Sequence, residues 1–109
     1  LEEKGFISLP TIPKDCTHNS HMFYLKVEDL KTRTALLKFL KYNDISAVFH
    51  YVPLHSARAG LNYGKFIGTD QFTTAESDKL IRLPMYYGLG KTEVSYVTNT
   101  IKKSYGQAK

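Results

Sequence analysis

Residues 49–60 read FHYVPLHSARAG. Two of the chain's four histidines, His50 and His55, stand here, with Tyr51 and Pro53 between them. His, Tyr and His together supply hydrogen-bond donors and acceptors suited to hydroxyls or phosphates. An apolar, β-branched run leads into the stretch and small residues follow it. The histidines therefore fall where a strand gives way to a loop. A strand end is a rigid mount, and groups just past it can face a cleft. A plainer account stands beside this one on the residues alone: a strand cap with solvent-facing histidines.

Other constellations carry less. Cys16, His18 and His21 give C-x-H-x-x-H, and His50 and His55 add two more nitrogens. Zinc uses such residue types. The spacing matches no standard pattern, and the first cluster sits in a Pro-rich segment, so no metal is expected. GLGKT at 88–92 ends like a phosphate loop, but the position that needs the first glycine is Met85. A turn that opens the last helix explains it better. Cys16 in a linker is a poor nucleophile candidate, and no G-x-S-x-G elbow exists. Asp70, Glu76 and Asp78 fall in a loop and on a helix surface rather than as a pair at a strand end. No catalytic residue is assigned within the chain.

The elements that must hold the histidines follow from periodicity. HMFYLKV alternates, with Phe23, Leu25 and Val27 on one face, and reads as a strand. LKTRTALLKFLKYN places Leu36, Phe39 and Leu40 at i, i+3 and i+4. It predicts an amphipathic helix opened near Asp29 or Thr32 and stopped at Asn43. ISAVFHYV, residues 45–52, predicts a second strand with Val48, His50 and Val52 on one face and Phe49 and Tyr51 on the other. Pro53 ends regular pairing because it has no N–H to donate. From Leu54 to Gln71 no period is visible and a long loop is expected. Thr73 and Glu76 have the spacing of a capping box for a short helix running to about Ile81. RLPMYY predicts a short extended piece. Val94, Val97, Ile101 and Tyr105 predict a last helix from about Thr92 to Gly106. The order gives an α/β (α+β) layer: helices on a small, largely antiparallel sheet.

Size and charge bound the partners. The chain's 109 residues make one domain, with 42% hydrophobic and 23% charged residues. No apolar run is long enough to span a membrane as a helix. The first residues have no initiator Met and read as a cut edge. A lone cysteine allows no internal disulfide, and a cytoplasmic setting is expected. The net charge of +5 suits an anion, but the basic residues are scattered. An independent basic α/β module binding nucleic acid is the rival reading. It would show exposed aromatics beside Lys or Arg on one sheet face, for which Tyr24 beside Lys26 is a faint hint.

HNSHMFYLKV, ALLKFLKYNDISAVFHYVPLHSARAG and ESDKLIRLPMYYGL, in this order, resemble the C-terminal part of the DegT/DnrJ/EryC1/StrS sugar aminotransferases. The resemblance runs roughly from Leu9 to Tyr105, and HYVPLH, RLP and HMFY are its most specific parts. It implies the small C-terminal domain of a fold-type I enzyme dependent on pyridoxal phosphate. Residues 1–20 would be the end of the interdomain connection and linker, and 21–109 the small domain. The Schiff-base lysine and most cofactor contacts would lie in a large domain that this chain lacks. Glutamate would be the amino donor and a dTDP-4-keto-6-deoxy sugar nucleotide the acceptor. The resemblance also implies substrate contacts from His50 first, with Tyr51 and His55 next. It further implies a homo-oligomer, with no membrane or nucleic-acid partner.

Overall fold

Asp29 opens the first helix. Its backbone is extended, at φ −155° and ψ 176°, and its carboxylate accepts from the Thr32 N–H at 2.7 Å. That satisfies one of the donors every helix start leaves without a partner. The computed structural model describes residues 1–106, and this helix, α1, spans Leu30–Tyr42. It closes at Asn43, whose side-chain amide donates to the Phe39 carbonyl at 2.8 Å. Asp44 then takes a left-handed φ of +56°, a conformation Asp tolerates better than most residues. Leu36 and Leu40 form the buried stripe of α1, as their spacing predicts.

That stripe covers a three-stranded antiparallel sheet in the order β1-β3-β2. The strands are β1 (Tyr24–Lys26), β2 (Val48–Phe49) and β3 (Leu80–Arg82). Leu25 pairs with Ile81, and Phe49 pairs with Ile81 from the other side. Side chains alternate across a strand, so Leu25 and Ile81 share the helix-facing side. Both are sealed, and they meet Leu36, Leu40, Val27, Ile45 and Ile101 in one core. Tyr24, Lys26, Leu80 and Arg82 take the opposite face. Before β1, Ser8 exchanges both backbone hydrogen bonds with Lys26, at 2.8 and 2.9 Å, and Leu1 and Ile7 pack against the core.

The remaining helices among the described residues are α2 (Arg58–Tyr63), α3 (Thr73–Lys79) and α4 (Lys91–Ser104). Ile101 and, half-buried, Val97 hold α4 to the core. Gly88 at φ +87° and the Leu89 N–H to Tyr86 carbonyl bond make the turn before α4. GLGKT is therefore a helix-opening turn.

Four local expectations change. The strand expected over 45–52 shrinks to Val48–Phe49, because β2 is an edge strand that can pair only with the three residues of β3. Ile45 goes into the core instead. The loop expected over 54–71 contains α2, a helix too short to show a period. The capping box does not form. Thr73 is already helical, its N–H is taken by Asp70, and Glu76 turns to Lys26. Finally α3 ends at Lys79, and Leu80–Arg82 becomes the central strand.

Candidate functional site

β2 delivers the chain into the corner that begins at His50. His50 is half-buried, with its ring 4.5 Å from that of Tyr51 and tilted by 56°. Its Nδ1 is sealed from solvent without a hydrogen-bond partner. Tyr51 is 64% exposed, and the Arg82 guanidinium lies 5.3 Å from its ring centroid. That contact favours a cation over an aromatic face. The Tyr51 carbonyl accepts from the Ser77 hydroxyl at 2.5 Å. The corner is thus tied to β3 through a ring and to α3 through the backbone.

Pro53 then starts a turn. Its carbonyl accepts from the Ser56 and Ala57 N–H groups at 3.0 and 2.9 Å. His55 rides on this turn and points to the start of α3. Its Nε2 lies 3.0 Å from Asp70 Oδ2 and 3.2 Å from Thr74 Oγ1. Asp70 also accepts from the N–H groups of Thr73 and Thr74 and from the Thr74 hydroxyl. The Thr74 hydroxyl above all, then the two N–H groups and His55, hold the Asp70 carboxyl below the usual carboxylate range, against the opposing effect of desolvation.

Phe66 stands against the His55 ring, with centroids 4.7 Å apart. A cavity of about 300 Å³ opens beside them, lined also by Leu54, Lys65, Thr73 and two glycines, Gly60 and Gly64. Gly60 is required there. A Cβ on it would stand 1.7 Å from the Leu54 carbonyl oxygen, so only a glycine lets α2 approach this turn.

The structure sorts the sequence candidates into two groups. His50 and Tyr51 are ring neighbours beside Arg82. His55 belongs to a separate group with Asp70, Thr74 and Phe66. Sequence reasoning missed the partners of His55. One signal was present: in Asp-Gln-Phe-Thr-Thr the carboxylate sits three and four residues before the N–H groups that open α3, a spacing at which Asp binds backbone.

The other candidates stay local. His18 Nδ1 accepts from the Ser20 N–H at 2.9 Å, His21 Nδ1 lies 2.6 Å from Asn19 Oδ1, and Cys16 is exposed. Among the described residues no three of His, Cys, Asp and Glu converge on a metal-sized site. Among the described residues no helix is long and apolar enough to cross a membrane. Lys26, the cation of the nucleic-acid hint, is engaged by Glu76 at 2.8 Å, and Tyr24 beside it is half-buried.

The shape of this domain has a counterpart among solved proteins. The crystal structure of the aminotransferase TlmJ from Streptoalloteichus hindustanus superposes with a TM-score of 0.80 at 18% identity. The superposition covers 93% of this chain and 26% of that one, so the chain spans about a quarter of that protein's length. At such identity the likeness is one of fold. The sequence pattern of the DegT/DnrJ/EryC1/StrS aminotransferase family matches residues 1–102. That match takes in every element from β1 to most of α4, the His50–Tyr51 corner and the His55–Asp70 pair, and the chain belongs to this family.

Proposed function

We propose that the chain is the small C-terminal domain of a pyridoxal-phosphate-dependent sugar-nucleotide aminotransferase. The enzyme would move an amino group from glutamate to the C4 keto group of a dTDP-4-keto-6-deoxy sugar. In this reading the enzyme would act as a dTDP-4-amino-4,6-dideoxygalactose transaminase, whose product is an amino sugar for enterobacterial common antigen. The family match over residues 1–102 is the observation that carries this reading. In it, residues 1–20 end the interdomain connection, residues 21–109 form the small domain, and the enzyme is a cytoplasmic homo-oligomer.

The residues present do not by themselves fit the cofactor. A Schiff base needs an enclosed amine beside a phosphate-binding cup. Among the described lysines only Lys26 and Lys79 are half-buried, and both face Glu76. Pyridoxal phosphate, held by the large domain, supplies the electron sink for amino transfer. This chain's part is to shape the sugar site. His50 first, with Tyr51 and His55 next, would offer hydrogen bonds suited to hydroxyls, and the His50 ring also packs against that of Tyr51. Leu54 and Phe66 present apolar surface that would exclude water when the cleft closes. The net charge of +5 favours a nucleotide diphosphate.

The test is an amino-transfer assay. The protein as its gene encodes it, with pyridoxal phosphate, is expected to aminate the 4-keto-6-deoxy sugar nucleotide at the expense of glutamate. Residues 1–109 alone are expected to be inactive. Turnover by the isolated chain, or no turnover of any sugar nucleotide by the whole protein, would overturn the reading.

A further inference from the structure

The geometry points to Asp70 as a positioning residue that fixes the His55 ring with its Nδ1 turned out as a hydrogen-bond acceptor for a ligand hydroxyl. The inference rests on the reading of His55 as a substrate-facing group, and it adds which atom does the facing and what holds it.

Nε2 of His55 has two neighbours, Asp70 Oδ2 at 3.0 Å and Thr74 Oγ1 at 3.2 Å. An ionised carboxylate can only accept. The Thr74 hydroxyl has a single proton, and it donates that proton to Asp70 Oδ2. Toward Nε2 the Thr74 oxygen can therefore also only accept. With acceptors on both sides, Nε2 must carry the proton. A neutral imidazole has one N–H, so the lone pair sits on Nδ1.

Nδ1 is available. Among the described residues it meets no hydrogen-bond partner, yet it is not one of the polar atoms sealed from solvent. Phe66 flanks the ring. A flip of the ring would put the Cε1 carbon where Nε2 stands and break the Asp70 and Thr74 contacts together. The adjoining cavity of about 300 Å³ has room for part of a sugar.

The consequence is chemical selection. A lone pair at Nδ1 accepts from a hydroxyl or an N–H. It does not match an ionised phosphate or carboxylate oxygen, which can only accept. In the neutral form His55 would thus read a sugar hydroxyl rather than the diphosphate, and a substrate lacking that hydroxyl would lose the contact.

The test reads the tautomer directly. Histidine labelled with ¹⁵N at both ring nitrogens is introduced into the protein as its gene encodes it, and His55→Gln identifies the His55 signals. At a pH where the ring is neutral, the parent is expected to show a single form with Nε2 protonated. Asp70→Ala is expected to show averaging between the two tautomers, and Asp70→Asn, whose amide oxygen still accepts, to restore the fixed form. Asp70→Ala should also lower kcat/KM for the sugar nucleotide about five- to tenfold, and add little once His55→Ala is present. A parent ring protonated at Nδ1, or a pattern unchanged by Asp70→Ala, would overturn the proposal. The tautomer is read without turnover. A fixed tautomer in a protein that transfers no amino group would therefore overturn the function alone.

Discussion

Lys26 on β1 and Glu76 on α3 meet at 2.8 Å although they lie 50 positions apart. The contact explains why Glu76 leaves the helix start unaided. A cation brought by the fold is a stronger partner than a backbone N–H, and Asp70 takes over the N–H groups of Thr73 and Thr74. Both side chains remain more than a third exposed, so solvent screens the pair. Glu76→Gln is expected to cost at most about 1 kcal/mol in urea unfolding. A larger loss would mean that the pair organises more than its own contact.

Acid should weaken the domain through three carboxylates. The Lys26 ammonium holds the Glu76 carboxyl low, the Thr74 hydroxyl does so for Asp70, and the Thr32 N–H for Asp29. Each binds its proton more weakly folded than unfolded. Their stabilisation is therefore complete above the ordinary carboxylate range, near about pH 4, and is lost as pH falls through the lower folded values. Urea midpoints should hold steady from pH 7 to about pH 5 and fall below about pH 4. Lys26 behaves oppositely. The Glu76 hydrogen bond raises its pKa, so while Glu76 is ionised the contribution is complete below the usual 10.5 and is lost as pH rises through the raised folded value. A midpoint that stays flat down to pH 2 would contradict the three assignments.

Leu40 is 0% exposed and sits where α1 meets the sheet. Leu40→Ala should cost about 2–5 kcal/mol, the range for a buried leucine whose cavity cannot collapse. Thermal unfolding checks it, and a loss under about 1 kcal/mol would place Leu40 outside the core.

Gly60→Ala should disturb the His55 corner. The new Cβ would meet backbone rather than a flexible side chain, so α2 or the Leu54 turn must shift. Overpacking of this kind costs about 1–3 kcal/mol. The ¹⁵N signals of His55 should move, while the core methyl signals of Leu25 and Ile81 stay. Unchanged His55 signals would show that α2 and the turn are not coupled.

The isolated chain should self-associate, most simply as a symmetric dimer. Leu54, Leu61, Tyr63, Ile67 and Phe72 are all more than two-thirds exposed within one stretch of sequence. Large apolar patches recruit partners. Sedimentation across a concentration series tests this, and a strict monomer would contradict it. Amides of α2, none of whose residues is buried, should exchange faster than those of α1. Equal protection would show that α2 is anchored as firmly as α1.

What was legible in the sequence follows burial. Leu36 and Leu40 with Asp29 before them announced α1, because a long helix with one buried face repeats its signal over several turns. The same logic placed β1 and α4, and the antiparallel α+β arrangement came with them. Leu80–Arg82 was hidden because three residues hold less than two periods, and Glu76 and Lys79 just before them suit a helix. Its strand character comes from pairing with Tyr24–Lys26 and Val48–Phe49, partners far away in the chain. The site divides in the same way. His50, Tyr51 and His55 could be picked out because their types and spacing are local. Asp70 could not be matched to His55, since folding of 54–74 alone brings a carboxylate 15 positions away onto Nε2.

The most direct measurement of the central claim compares the two half-reactions in the protein as its gene encodes it. Stopped-flow absorbance follows the glutamate half-reaction and the sugar-nucleotide half-reaction separately, for the parent, His50→Ala and His55→Ala. Each variant is expected to lose several-fold in kcat/KM toward the sugar nucleotide, the effect of about 0.5–1.5 kcal/mol from one hydrogen bond to an uncharged group, with a smaller loss toward glutamate. Equal losses in both half-reactions, or none in either, would contradict the account of this domain as the part of the enzyme that faces the sugar.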